Sequence, residues 1–390
     1  MAHEADLNHI RTLQVRASAL LDLVGQQLDF DSKPKSLDIR FNVKQAAQLV
    51  GRTESTIRRA EDLGELPSPR RRDSGVREGY SLAEINIMRD HFCTRPFRQA
   101  HEEPAIIAFQ NFKGGVGKST NAVHAAQYFA LHGYRTLLVD VDPQASATLL
   151  FGLNPSRDIS EEATALPFLL HETDSLGYAV RNTYWEGLDL IPSCLTLYEA
   201  EYSIAAGADD PKNRFEALRW GIDSVKRKYD VIVIDPPPAL GMISLNALRA
   251  ANALVVPTPP AIVDYGSTVM FLTMLVEALS ILERNGFSAT YHFVRVLATR
   301  VDENKRAQKI VREGMKKVFG TDIYSTALID SSEYNTAAAE LRSVYEYSGG
   351  ATQTYKRCRA NLDRVMEEIE ESVRLMWPSH QRAMRRLGAA

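Results

Sequence analysis

One stretch constrains this chain more than any other: Lys113-Gly114-Gly115-Val116-Gly117-Lys118-Ser119-Thr120. It follows an apolar run, Ala105-Ile106-Ile107-Ala108-Phe109, and precedes a helical pattern from Asn121 to Leu131. Strand, glycine-rich turn and helix start together make a phosphate cradle. Glycines let backbone N–H groups converge without Cβ clashes. The helix start adds unpaired donors and the positive end of its dipole. Lys118 would reach the β- and γ-phosphates, and the Ser119 hydroxyl would ligate Mg²⁺. The usual P-loop spacing wants a glycine five residues before Gly117. Phe112 stands there instead, and a second lysine, Lys113, opens the loop.

Two acidic strand ends follow. Leu137-Leu138-Val139-Asp140-Val141-Asp142-Pro143-Gln144 closes one strand, and Val231-Ile232-Val233-Ile234-Asp235-Pro236-Pro237-Pro238 closes another. Carboxyl ends of parallel strands form the ligand crevice of open α/β sheets. Asp140 and Asp142 would share a face there and position an attacking water. Four apolar β-formers ending in Asp235 match a Walker B strand, whose carboxylate holds Mg²⁺. From Ala105 onward strands and helices alternate. Strands are expected at 106–109, 136–140, 188–191, 231–235, 253–257 and 293–299, and helices at 213–228, 268–284 and 304–318. Apolar strands without alternation predict a parallel sheet buried on both faces.

The front of the chain reads differently. Residues 7–28 form one amphipathic pattern, with Ile10, Leu13, Ala17, Leu20, Val24 and Leu28 at steps of three and four. A second copy of the helix is its expected partner. Residues 38–98 carry 12 Lys/Arg against 9 Asp/Glu, although the formal net charge of the 390-residue chain is −3. Within them, 41–63 predicts a helix-turn-helix, with the turn at Gly51-Arg52 and a cap from Thr53 or Ser55. Pro69 to Tyr80, with Gly75 at a hairpin tip, predicts a wing. The segment resembles the winged helix-turn-helix of the MerR-like kind. Thr53, Ser55, Thr56, Arg58 and Arg59 would face base edges, and Arg70, Arg71, Arg72 and Arg77 would hold phosphates. The expected organisation is therefore a dimerisation helix (1–36), a winged helix-turn-helix (37–98), a linker (99–104) and a P-loop domain (105–390). The fold class is α/β: a P-loop NTPase with a mostly parallel sheet covered by helices on both faces, preceded by a small helical domain.

Cys93, Cys194 and Cys358 are too scattered for a metal or disulfide framework. No apolar run reads as long enough to span a bilayer, and the last helix, 354–376, reads as docked on the core.

The three motifs together resemble the deviant Walker ATPases of the ParA/MinD type over roughly residues 105–390. With the helix-turn-helix in front, the chain resembles the larger ParA proteins, including the RepA partners of RepABC replicons. Ser332-Glu333-Tyr334-Asn335-Thr336 and Tyr355-Lys356-Arg357 add a weaker likeness. The resemblance implies ATP/ADP and Mg²⁺ as cofactors. Lys113 would be the signature lysine, reaching the partner's nucleotide across an ATP-sandwich homodimer. Gly114, Gly115, Val116, Gly117, Lys118, Ser119 and Thr120 would bind phosphates, with Thr299-Arg300 bordering the adenine. Asp142 would align the water, with Asp140 nearby, and Ser119, Asp235 and Asp140 would serve the metal. The ATP dimer would bind DNA without sequence preference, with Lys305, Arg306, Lys309, Lys356, Arg357 and Arg359 as candidate contacts. A ParB-like partner would stimulate hydrolysis, and the helix-turn-helix would bind an operator and repress the chain's own operon. This implies a cytoplasmic, nucleoid-associated DNA-partition ATPase with no membrane partner. The competing expectations are a nucleotide-sensing transcription regulator and a MinD-like membrane ATPase.

Overall fold

The computed structural model describes residues 7–27, 35–206, 211–287, 290–347 and 352–381. It divides into two units, residues 1–36 and 37–390. The first contains helix α1 (Leu7–Gln27). Leu7, Ile10, Leu13, Leu20 and Leu23 on it are all at least half exposed. Leu28, the end of the expected stripe, lies outside the described residues.

The second unit opens with α2 (Val43–Val50), α3 (Glu54–Asp62) and α4 (Leu82–His91). Asn42 and Gln45 form a capping box at the start of α2, and Gly51 ends it in the left-handed region. Thr53, not Ser55, caps α3 by accepting from Thr56 N–H. A hairpin occupies the stretch read as a wing: Arg71 bridges Arg77 and Phe41 bridges Tyr80, both antiparallel, and Gly75 at the tip has φ 79°. Ile57, Tyr80, Leu82 and Ile85 fill a core continuous with that of the sheet behind it.

Next come β1 (Ala105–Phe109), α5 (Lys118–Leu131), β2 (Thr136–Asp140), α6 (Ser146–Leu150), α7 (Leu166–Leu169), β3 (Arg181–Asn182) and β4 (Leu188–Ile191). They are followed by α8 (Tyr198–Ala206), α9 (Pro211–Val225), β5 (Val231–Asp235), α10 (Met242–Ala250), β6 (Ala253–Thr258) and α11 (Ile262–Arg284). The unit closes with β7 (Phe293–Ala298), α12 (Arg306–Phe319), α13 (Ser332–Ala339) and α14 (Gln353–Met376). The sheet order is β3-β4-β2-β5-β1-β6-β7, and every pairing is parallel except β3 with β4. Side chains alternate between faces as the pleat requires. Ala105, Ile107 and Phe109 of β1 share the core that holds α5 and α14, while Ile106 and Ala108 join the core on the opposite face.

Three expectations change. The short edge strand β3 carries no apolar signal. The stretch 99–104 is no slack linker: buried Arg98, just before it, donates to the carbonyls of Tyr229 and Glu102, and Glu102 accepts from Ser379 at the chain's far end. Finally, α11 is long and apolar enough to cross a membrane, against the reading that no run is. It serves here as the helix between β6 and β7, with Phe271, Leu275 and Leu282 buried.

Candidate nucleotide site

The loop between β1 and α5 sits at the carboxyl edge of the central strands. Gly115 and Gly117 have φ of 75° and 94°, conformations that side chains with a Cβ rarely adopt. Lys118 is buried, and its ammonium donates to the Lys113 carbonyl at 3.1 Å, closing the loop on itself. Burial pulls the Lys118 pKa down, while Asp235 and Asp142 pull the other way.

Register places Asp140 directly beside Asp235. Both are fully buried. Asp140 accepts three hydrogen bonds, from Thr148 N–H (2.8 Å), Thr148 O–H (2.7 Å) and Asp142 N–H (3.1 Å). Neither oxygen of Asp235 has a hydrogen-bond partner within 3.5 Å, and the Ser119 hydroxyl is near enough only to offset part of its burial. Burial pushes Asp140 up to about 7 against those bonds. It pushes Asp235 well above the ordinary carboxylate range, helped by the charge of Asp140 and only partly offset by Ser119. Asp142 is nearly buried and is raised by desolvation, with the Gln144 amide and Lys118 opposing. A buried carboxylate without protein donors, next to Ser119 and Lys118, fits a cation with its water shell. Asp140 does not fit that part, because protein donors already hold both of its oxygens.

Lys113 points elsewhere. Its ammonium pairs with Asp264, in the first turn of α11. A cleft of about 260 Å³ there is lined by Lys113, Gly114, Gly115, Asp264, Arg300 and Lys305. A second cleft of about 200 Å³ is lined by Gly117, Thr120, Thr299, Arg300, Tyr334 and Asn335. Thr299 and Arg300 reach the loop itself: Thr299 Oγ1 donates to Val116 O at 3.0 Å and Arg300 Nη1 to Gly115 O at 2.9 Å.

Some expected residues lie away from this site. Thr53, Ser55, Thr56, Arg58 and Arg59 line the start of α3. Arg59 is exposed, and Arg58 is paired at its own surface with Glu54. Arg70, Arg71 and Arg72 are exposed on the wing. Two expected DNA contacts are spent internally. Arg77 bonds the buried Glu61 at 2.9 Å, because a carboxylate taken out of water needs a cation. Arg359 stacks over Tyr345 at 4.1 Å and bonds Asp363. Lys356 is exposed, and Arg357 pairs with Glu303 at 2.6 Å. Reasoning from sequence missed Thr148, Asp264 and Glu201. Glu201, on α8, accepts from Met242 N–H at 2.5 Å and caps α10 just beyond the triple proline. No motif marks them: the partners of Asp264 and Glu201 are distant in sequence, and Thr148 lies beyond the Asp-x-Asp pattern that drew attention.

Residues 104–278 match the family model described as an AAA domain. Protein SopA of Escherichia coli (strain K12) is 36% identical over 89% of this chain and 91% of its own length. A putative replication protein A of Sinorhizobium fredii (strain NBRC 101917 / NGR234) is 31% identical over 92% of each. Among solved structures, one titled "Partition Protein" superposes with a TM-score of 0.68 at 23% identity, over 95% of this chain and 99% of that one.

Proposed function

This chain belongs to the ParA-type partition ATPases, and we propose that it segregates a replicon as an ATP-sandwich homodimer that binds DNA. ATP would lie along the loop 113–120, with Mg²⁺ held by Ser119 and, through water, by Asp235. The ion supplies charge neutralisation for the phosphates. Asp142 orients the attacking water. Asp140 takes the part of a brace: through Thr148 and the Asp142 amide it fixes where Asp142 stands.

The observation that most supports the shared site is the direction of Lys113. Its ammonium lies against Asp264 on the loop's outer side, leaving Lys118 alone to serve the subunit's own phosphates. Ile262, Val263 and Met270 on the same helix as Asp264, all more than half exposed, would be covered by the second subunit. Nucleotide is then shared ligand surface, and ATP shifts the chain towards the dimer. Lys305, Arg306, Lys309, Lys356 and the exposed wing residues Arg70, Arg71 and Arg72 would carry phosphate contacts. The helix-turn-helix would hold the operator in autorepression, and a ParB-like protein would stimulate turnover.

The test compares binding to random-sequence DNA without nucleotide, with ADP and with ATP. ATP should raise the affinity, and that affinity should fall steeply with salt. Equal binding in all three states sinks the partition reading. Lys113→Ala should bind ATP yet fail to dimerise with it in sedimentation, and unchanged dimerisation removes the role given to this lysine.

A further inference from the structure

The end of β7 touches the phosphate loop at two successive carbonyls. Thr299, fully buried, donates its hydroxyl to Val116 O, and Arg300 donates its guanidinium to Gly115 O. All peptide bonds of the chain described are trans. In a planar trans peptide the C=O and the following N–H point opposite ways. Carbonyls drawn towards β7 therefore turn the Val116 and Gly117 N–H groups away from it, into the cradle. Neither N–H makes a hydrogen bond among the described residues.

The backbone at Arg300 is strained to achieve this. Its φ is 53°, in the left-handed region that a long side chain disfavours. The strain is held in place from both sides, by Thr299 N–H on Thr258 O (3.1 Å) and Val301 N–H on Leu328 O (3.0 Å). Such strain persists only where its surroundings over-determine it, and it gathers at functional sites. Arg300 is exposed, and its guanidinium forms no ion pair among the described residues.

We infer that Thr299 and Arg300 are positioning residues for the nucleotide: they tether the two loop carbonyls so that the Val116 and Gly117 amides are preset for a β-phosphate. Asparagine tolerates the left-handed region but is too short to reach Gly115. Glycine relieves the strain altogether. The tethers and the fold therefore make opposite demands at position 300. This inference rests on the loop holding nucleotide, which binding of Mg·ADP by the unaltered chain tests separately.

The experiment is calorimetric titration of the full chain with Mg·ADP and Mg·AMPPNP, alongside thermal unfolding without nucleotide. Arg300→Asn and Arg300→Gly should weaken both nucleotides about tenfold. Arg300→Gly should meanwhile keep or raise the unfolding midpoint. Thr299→Val should weaken both about fivefold, and Thr299→Ser, which keeps the hydroxyl, should restore binding. Unchanged affinity in Arg300→Asn overturns the assignment. So does an affinity that falls only together with the midpoint in Arg300→Gly, which is the mark of a merely structural residue. A loss confined to AMPPNP overturns it too, since that puts Arg300 on the γ-phosphate itself.

Discussion

Asp140 and Asp235 are neighbours in register at the ends of adjacent strands, equally buried, and opposite in their surroundings. Three protein donors converge on Asp140. Asp235 has no partner within 3.5 Å, with only the Ser119 hydroxyl near it. Burying a carboxylate without donors costs stability unless something else pairs with it. Under the proposed function this contrast makes β2 a brace and leaves β5 to a ligand. The brace extends further: Thr148 Oγ1 also accepts from Ser193 N–H, and Ser193 Oγ donates to Asp142 O. The segment carrying Asp142 is thereby fixed from both sides.

The largest effect that tests this contrast is Asp235→Asn. ATP hydrolysis should fall by about a hundredfold or more, because metal-held charge stabilisation is worth several kcal/mol. The nucleotide-free protein should be as stable as before or more so, since a buried carboxylate with no hydrogen bonds is replaced by a neutral amide. Asp140→Asn should do the reverse. It should cost about 3 kcal/mol in urea unfolding by setting an amide against donors that need an acceptor, and it should leave ATP affinity within a few-fold. If both variants lose stability alike, the distinction between brace and ligand site fails.

Much of this was legible in the sequence, and the parts that were not share a cause. Lys118, Ser119 and Asp235 stand in local patterns: a turn that needs glycine, a helix start, an apolar strand ending in an acid. The six longer strands were equally legible, because a buried parallel strand writes itself as a mostly apolar run, broken here only by residues such as Asp189 in β4 and Arg295 in β7. Sequence gave Asp140 and Asp142 the same standing, because spacing alone puts two acids on one face. What separates them is Thr148, eight residues on, and Ser193, on a different loop. Arg77 failed as a DNA contact for a similar reason. Its partner Glu61 lies one helix earlier, in a stretch that otherwise reads as solvated. Glu102 reads as linker because its partner is Ser379, far along the chain.

The same rule applies to a base and gives a pH window. His124, in α5, donates from Nδ1 to Thr120 O (2.6 Å) and accepts at Nε2 from Val344 N–H (3.1 Å). It is satisfied only as the neutral ring, and burial pushes its pKa down to about 4. The unfolded chain protonates this ring near 6.5 while the folded chain does not. Its contribution to stability is therefore complete above about 6.5 and is lost as pH falls towards 4. The loss should approach roughly 3 kcal/mol. His124→Gln should flatten that slope in urea unfolding measured across the window. An unchanged slope would show that another group sets the acid limb.

The smallest effect carries the contrast to the helical head of residues 37–98. The Thr53 hydroxyl accepts from Thr56 N–H at 3.2 Å and bonds the hydroxyls of Ser55 and Thr56. By the logic of Asp140 it is a cap rather than a base contact. Thr53→Ala should cost about 1 kcal/mol of stability, whereas glycine, a tolerated cap, should cost only a few tenths. Thr53→Gly thus removes the hydroxyl while nearly sparing the helix. Anisotropy on a DNA fragment from upstream of the chain's own coding region should then give an affinity within about twofold of the unaltered protein, since a lost base contact is worth about 1–3 kcal/mol and would show plainly. A tenfold drop in Thr53→Gly with stability intact would return Thr53 to the DNA surface and confine the rule to the nucleotide end of the molecule.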